Sequence, residues 1–495
     1  MSINSSSYRQ IFKATSLFGG VQFFTIIASI VRSKVIAILL GPEGMGIQGL
    51  LTTAINLIGG ITNFGLRTSA VKNVAAVNKT EDFKEVSKIV VILRRLVWIT
   101  GLFGALVSII FSAQISNITF GNKDHTLAFV WISLALVFNQ LTAGETVVLQ
   151  RMRRLKDLAR SGLFGAILGL VVSLPVYYFF GFDGIVPAII LISVSNFLRT
   201  WFFSRKINFL QVKVSRNATI EVGKDMITMG FMLSLSSLFV LAKEYGIRAY
   251  IGIEGGVNQV GLYTAGFAII NTYVGMIFNA MTTDYYPRLS LVADNNGEMR
   301  SLINQQAEIA VLIIAPVLMA FIVFIGWVIV ILYSSEFITT NVMLQFAAIG
   351  MLFKTISWSI AFSFLAKGAS KTYLINEFVG GAMTFSLHLL GYYLWGLTGA
   401  GIGFLIGYIY YSIQVFFLTK KLYDFSFSKS LVHIFILQLG LSTIAFILAY
   451  KLSSPFSYIF GVLVIIISGV ISFKGLDERI GIVQLYKKYK NKKKQ

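Results

Sequence analysis

The chain has 495 residues, 56% of them hydrophobic and 13% charged, with a net charge of +21 and no cysteine. A soluble globule cannot bury that much apolar surface, so the composition points to a polytopic membrane protein. The lack of cysteine excludes disulfides and thiolate metal sites, and three scattered histidines exclude zinc ligation at ligand spacing.

Apolar stretches long enough to cross about 30 Å of hydrocarbon at about 1.5 Å per residue run over 11–40, 47–68, 89–113, 127–149, 161–180, 184–204 and 224–248 in the first half. They continue over 257–283, 307–333, 341–366, 372–395, 397–419, 429–450 and 455–473. This gives about fourteen crossings. MSINSSSYRQ leads into the first span without a small-residue cleavage site, so no secretory signal is expected.

The positive balance invites a nucleic-acid reading, which its distribution rejects. With the N-terminus in the cytoplasm and the crossings alternating, the outer loops hold only Lys123 and Lys451. Arg32, Lys34, Lys243, Arg248 and Lys354 fall inside spans, and the rest of the 42 Lys and Arg lie on the cytoplasmic side. This is the asymmetry of the positive-inside rule and places both termini in the cytoplasm. The tail KKYKNKKKQ reads as an anchor to anionic membrane lipid. The inner stretches after the second and fourth spans read as interfacial amphipathic connections. The longest outer loop, about Ser112 to Thr126, is too short for a catalytic domain, so an enzyme is not expected.

The most informative stretch is VRSKVIAILLGPEGMGIQGL, Val31–Leu50. It places Arg32 and Lys34 in a helix hydrophobic enough to span, then Gly41, Pro42, Gly44, Gly46 and Gly49 in a turn. Charge in hydrocarbon costs at least ~2.5–3.5 kcal/mol per group, so such cations face a partner or a water-filled cavity.

A shift of 215 residues brings further features into coincidence. Tyr177-Tyr178 falls on Tyr392-Tyr393, Gly181-Phe-Asp-Gly184 on Gly396-Leu-Thr-Gly399, Gly165 on Gly380, Lys156 on Lys371, and Arg205-Lys206 on Lys420-Lys421. At a slightly smaller shift GPEGMGIQGLL returns as GIEGGVNQVGLY, Gly252–Tyr263. Two parallel six-helix lobes are therefore expected, 1–215 and 216–425, with 426–495 adding two transmembrane helices and a basic tail. Parallel repeats with a site between them suit an alternating-access transporter.

The repeat puts cations on corresponding helices, Arg32 and Lys34 on the first, Lys243 and Arg248 on the seventh. Glu244 stands four residues before Arg248, on the same face, as a salt-bridge partner or coupling group. Lys354 is the deepest, about 20 Å in from the outer end of its span. Glu145, Asp284 and Glu377 sit at inner span ends, where a polar partner is easily found; Glu145 and Asp284 stand with Glu244 as ion-coupling or salt-bridge candidates. Asn63, Asn139, Gln140, Asn271 and Asn279 read as bonds across helices, and His388 as a packed histidine. No cofactor or metal site is expected. A net cationic interior attracts an anion such as phosphate or diphosphate.

A basic first helix, an Ala, then Leu-Gly-Pro-x-Gly-x-Gly opening helix two (Arg32, Lys34, Ala37, Leu40, Gly41, Pro42, Gly44 and Gly46) resembles the polysaccharide-transporter branch of the multidrug/oligosaccharidyl-lipid/polysaccharide flippase superfamily, and most of all the O-antigen translocases. The resemblance covers about residues 8–420. It implies an all-α V-shaped bundle of two lobes with a central basic cavity in the bacterial inner membrane. It implies movement of undecaprenyl-diphosphate-linked oligosaccharide, in lipopolysaccharide synthesis, to the periplasmic leaflet, with Arg32 and Lys34 taking the family's first-helix positions. Lys243, Arg248 and Lys354 join them as substrate-binding candidates by repeat and depth. Partners would be the lipid-linked oligosaccharide, membrane lipids, and the polymerase and chain-length machinery, with no nucleic acid. The two extra helices resemble those of lipid II flippases. A multidrug exporter of the same superfamily is the other alternative, but cationic drugs call for acidic cavity groups.

Overall fold

A computed structural model describes residues 5–66, 69, 83–152 and 154–481. The basic tail and all of residues 67–82 except Ser69, where the first inner connection is expected, lie outside the described residues. Among the described residues there are twelve α-helices and no strand. In chain order they are α1 (Ser5–Thr62), α2 (Phe83–Ile110), α3 (Ser112–Phe120), α4 (Thr126–Arg151), α5 (Leu155–Phe180), α6 (Ile185–Ser204), α7 (Arg216–Leu291), α8 (Asn296–Leu332), α9 (Asn341–Ala366), α10 (Ser370–Tyr423), α11 (Lys429–Lys451) and α12 (Phe456–Ile480).

Ten stretches among the described residues are long and apolar enough to cross a membrane. Four of them, 39, 45, 58 and 54 residues long, far exceed the ~20 residues one crossing needs. Each contains a glycine at which the chain turns. The fold is therefore an all-α, multi-pass membrane architecture. Exposed large apolar side chains on α2, among them Ile99, Leu102, Phe103, Leu106, Ile109 and Ile110, form the lipid-facing stripe expected of such a helix.

The turn in α1 is tighter than the glycine-rich sequence suggests. Only Gly41 leaves the helical region (φ 60°, ψ −167°), and Pro42 begins the next limb. A proline there forfeits only a hydrogen bond that the first turn leaves open anyway. A Cβ on Gly44 would lie 2.2 Å from that of Leu40, against about 5–6 Å for residues four apart in an unbroken helix. The chain has turned back on itself.

The repeat is visible in the backbone. Positive φ recurs at Gly41 and Gly256, and at Gly181 and Gly396; both pairs are 215 residues apart. A Cβ on Gly184 would meet the Val176 carbonyl oxygen at 2.6 Å, and one on Gly399 would meet that of Gly391 at 1.8 Å, at the same offset. This corrects the register of the opening turn. Its counterpart is centred on Gly256, not Gly252, because the residue that must adopt positive φ defines the equivalence.

The chain divides into two compact units. The first comprises Met1–Gly261 with Leu332–Ser334, and the second Leu262–Ile331 with Ser335–Gln495. In the first, α2 packs on α4, α4 on α6, and α5 on both α1 and α6, around buried Val90, Leu93, Val97, Leu141, Val147 and Phe203. Within this unit two glycines meet backbone reciprocally. A Cβ on Gly46 would lie 2.0 Å from the Val257 carbonyl oxygen, and one on Gly261 1.7 Å from that of Pro42. Residues 42 and 257, like 46 and 261, are repeat equivalents. In the second unit α9 packs on α10, α11 on α12, and the core gathers Tyr285, Ile303, Val311, Ile360, Phe364 and Val415. Buried Glu308 fixes this unit's C-terminal helices: Arg479 Nε donates to it at 2.7 Å and the Ser428 hydroxyl at 2.8 Å.

Candidate functional site

In the first unit Arg32 lies nine residues before the Gly41 turn, about 14 Å along the helix. Its side chain is half-buried and reaches α5, with Nη1 3.8 Å from where a Cβ on Gly169 would stand. It is also within electrostatic reach of the Tyr177 hydroxyl, which accepts a hydrogen bond from Gln48 Nε2 at 3.2 Å. No carboxylate among the described residues lies within 4.0 Å of Arg32 or of half-buried Lys243. Lys34 is half-buried, seven residues or about two turns before the α1 kink at Gly41.

Arg248 is different. Its Nη1 sits 2.9 Å from Glu244 Oε2, and its side chain is only 12% exposed. The i, i+4 spacing on α7 thus produces an ion pair, which satisfies this cation locally. Nearby, the Tyr245 and Thr119 hydroxyls are 2.7 Å apart and tie α7 to α3.

The acids are engaged structurally. Glu145, 8% exposed, takes both forks of Arg94 at 2.9 Å and a 2.5 Å bond from the Ser204 hydroxyl, joining α2, α4 and α6. Asp284 pairs with Arg288 at 3.1 Å on an exposed surface. In the second unit Glu377 accepts from the Tyr411 hydroxyl, which itself accepts from Asn376 Nδ2 at 3.0 Å.

Lys354, in α9 of the second unit, has no ion-pair partner among the described residues. It lies 5.9 Å from the Phe278 ring centroid and 5.4 Å from that of Tyr408. Aromatic faces stabilise an ammonium by about 0.5–2 kcal/mol while leaving its charge unneutralised. Asn139, its repeat equivalent, lines a cavity of about 290 Å³ in the first unit with Asn56, Asn63 and Gln140. Gln140 also donates to Thr100 at 2.9 Å, so it both bonds across helices and borders the cavity. The second unit holds an apolar cavity of about 350 Å³ between α9, α10 and α11, bordered by Phe353, Ile413, Phe416, Phe427, Leu431 and Phe435. His388 is buried among Tyr263, Phe267 and Phe404.

One cation escapes the sequence reading. Arg199, followed closely by Arg205-Lys206, looks like a cytoplasmic flank. The structure places it inside α6, half-buried, with Nε buried and unpartnered among the described residues. No group of three or more His, Cys, Asp or Glu that could hold a metal occurs among the described residues.

This geometry, with bent helices paired by duplication, cations inside crossings and acids tied up in structural bonds, defines a membrane transporter fold. Residues 35–342 match the family described as "Polysaccharide biosynthesis protein", and the chain belongs to that family. It is similar to the "Lipid III flippase" of Escherichia coli (strain K12), 20% identical over 364 residues, 71% of this chain and 84% of that protein. Among solved structures it is similar to "Lipid II flippase MurJ, inward closed conformation", with a TM-score of 0.67 at 15% identity over 94% of this chain and 99% of that one. It is also similar to an inward-facing multidrug resistance transporter of the MATE family in the MOP superfamily, TM-score 0.61 at 18% identity over 81% and 94%.

Proposed function

We propose that the chain is a flippase, not an enzyme, that moves undecaprenyl-diphosphate-linked oligosaccharide of O-antigen type across the bacterial inner membrane by alternating access. One observation carries the reading. Within the membrane-crossing helices, Arg32, Lys243 and Lys354 have no carboxylate partner among the described residues, whereas Glu145, Glu244 and Glu308 are tied to arginines. Unneutralised cations in a low-dielectric setting attract an anionic head group. Arg32, Lys34 and Lys243 of the first unit would hold the diphosphate, and Lys354 would supply a further substrate-binding cation in the second unit. Arg248 contributes less, because Glu244 already balances it.

The family assignment supports the substrate class, and the curated flippase relative agrees with it. A polar head requires a hydrated route, and the amide-bordered cavity of the first unit suits sugar hydroxyls. The prenyl chain requires hydrocarbon, and the apolar cavity bordered by α11 suits it. That cavity involves a helix beyond the repeat, which favours a lipid II-type substrate as the second reading. The cationic interior disfavours a cationic-drug exporter.

The test is replacement of Arg32 and Lys354 by Ala, singly and together, with surface polysaccharide as the readout. Loss of surface polysaccharide by variants inserted at normal levels is expected. Normal polysaccharide from the double variant would remove the proposed site.

A further inference from the structure

We infer that Arg199 and Arg32 together form an anion clasp on one face of α5, specific for a diphosphate. The inference rests on the flippase reading and adds a residue and a geometry to it.

α5 carries Gly165 and Gly169, one turn apart, so their Cβ positions would be about 5–6 Å from each other. Each glycine receives a guanidinium from a different helix. A Cβ on Gly165 would lie 2.1 Å from Arg199 Nη1 and 2.4 Å from its Cζ, so the group lies flat on bare backbone. A Cβ on Gly169 would lie 3.8 Å from Arg32 Nη1. Two planar, charged forks thus lie against glycines one helical turn apart on α5. Only glycine at 165 admits the first.

Two guanidiniums this close repel one another, and neither has a carboxylate within 4.0 Å among the described residues. Among the described residues Arg199 has one hydrogen-bond partner, an Asn196 Oδ1 that accepts from Nη2 at 3.2 Å, and its buried Nε has none. The charge of each guanidinium is therefore left without a counter-ion among the described residues, and an anion on the Nη edges would supply one. Arginine forks bind phosphate oxygens in pairs, and two forks match the two phosphates of a diphosphate.

The second repeat supplies an internal comparison. At the offset of 215, Gly165 corresponds to Gly380 and Arg199 to Gln414. Gln414 also lies against its glycine, with Oε1 3.4 Å from the Cβ position. There the side chain is neutral: Nε2 donates to Asn376 Oδ1 at 2.9 Å and to the Asn376 carbonyl at 3.0 Å, while Oε1, like Arg199 Nε, is buried without a partner among the described residues. The fold therefore accepts an uncharged glutamine at this position, and packing alone does not require the arginine.

The test uses the purified full chain in detergent, titrated with undecaprenyl diphosphate, undecaprenyl monophosphate, inorganic diphosphate and phosphatidylglycerol, with binding read by native mass spectrometry. Arg199→Gln, the residue the second repeat carries, should weaken undecaprenyl diphosphate binding about tenfold and monophosphate binding less. Gly165→Ala, which pushes the guanidinium off the helix, should match it. Thermal melting reports whether each variant is folded. If Arg199→Gln and Gly165→Ala bind diphosphate lipid like the wild type while Arg32→Gln does not, the clasp is overturned and the flippase reading stands. If the wild type prefers undecaprenyl diphosphate no more than phosphatidylglycerol, yet binds inorganic diphosphate through Arg199, the anion clasp stands and the flippase reading fails.

Discussion

The reciprocal contact of α1 with α7 makes a quantitative demand. Gly261→Ala would place a methyl 1.7 Å from the Pro42 carbonyl oxygen, and Gly46→Ala one 2.0 Å from that of Val257. Both obstacles are backbone, so no side chain can rotate away. The helices must part by more than an ångström to restore ordinary contact, and overpacking of that kind costs about 1–3 kcal/mol. Gly275, in the same long helix, has nothing within 4 Å of its Cβ position. Alanine there should stabilise, by up to about 1 kcal/mol of helix propensity. Thermal unfolding of the three purified variants checks the sign. Gly46→Ala and Gly261→Ala should melt several degrees below the wild type, and Gly275→Ala at or above it. Equal melting of Gly261→Ala and Gly275→Ala would refute the close approach.

Glu145→Gln should destabilise by roughly 1–3 kcal/mol, because it leaves Arg94 without its counter-charge beside the membrane core; Arg94→Ala added to it should recover part of the loss in a double-mutant cycle of melting curves. Lys354→Met keeps the packing against Phe278 and Tyr408 and removes the charge, so it should melt like the wild type yet fail to support surface polysaccharide. His125, tilted against Phe120 at 3.9 Å between ring centroids, has its pKa lowered below 6.5 by burial, with Asp124 opposing. Below pH 6.5 the unfolded chain takes up the proton first, so stability falls as pH drops through that value. The melting temperature should therefore fall more between pH 7.5 and pH 5.5 in the wild type than in His125→Gln, and equal losses would count against a half-buried neutral ring.

Much of the architecture was legible because its causes are local. Hydropathy sets which stretches can cross, and helix spacing put Glu244 beside Arg248. The duplication showed itself through glycines whose backbone angles no other residue adopts easily. The register of the opening turn went astray because Gly-x-Glu-Gly recurs four residues before the glycine that bends the chain. Arg94 and Glu145, 51 positions apart, carry no mutual signal in a single sequence. Arg199 was hidden by the basic residues that follow it; only the offset that aligns it with Gln414, each against its own glycine, marks it as interior.

The most direct measurement is flipping by the purified chain in proteoliposomes supplied with undecaprenyl-diphosphate-linked oligosaccharide, with accessibility of the sugar to an added impermeant enzyme as the readout. The wild type should carry the sugar across, while Arg32→Ala with Lys354→Ala should leave it at the rate of protein-free vesicles. Wild-type rates from that double variant, folded and inserted, would contradict the account.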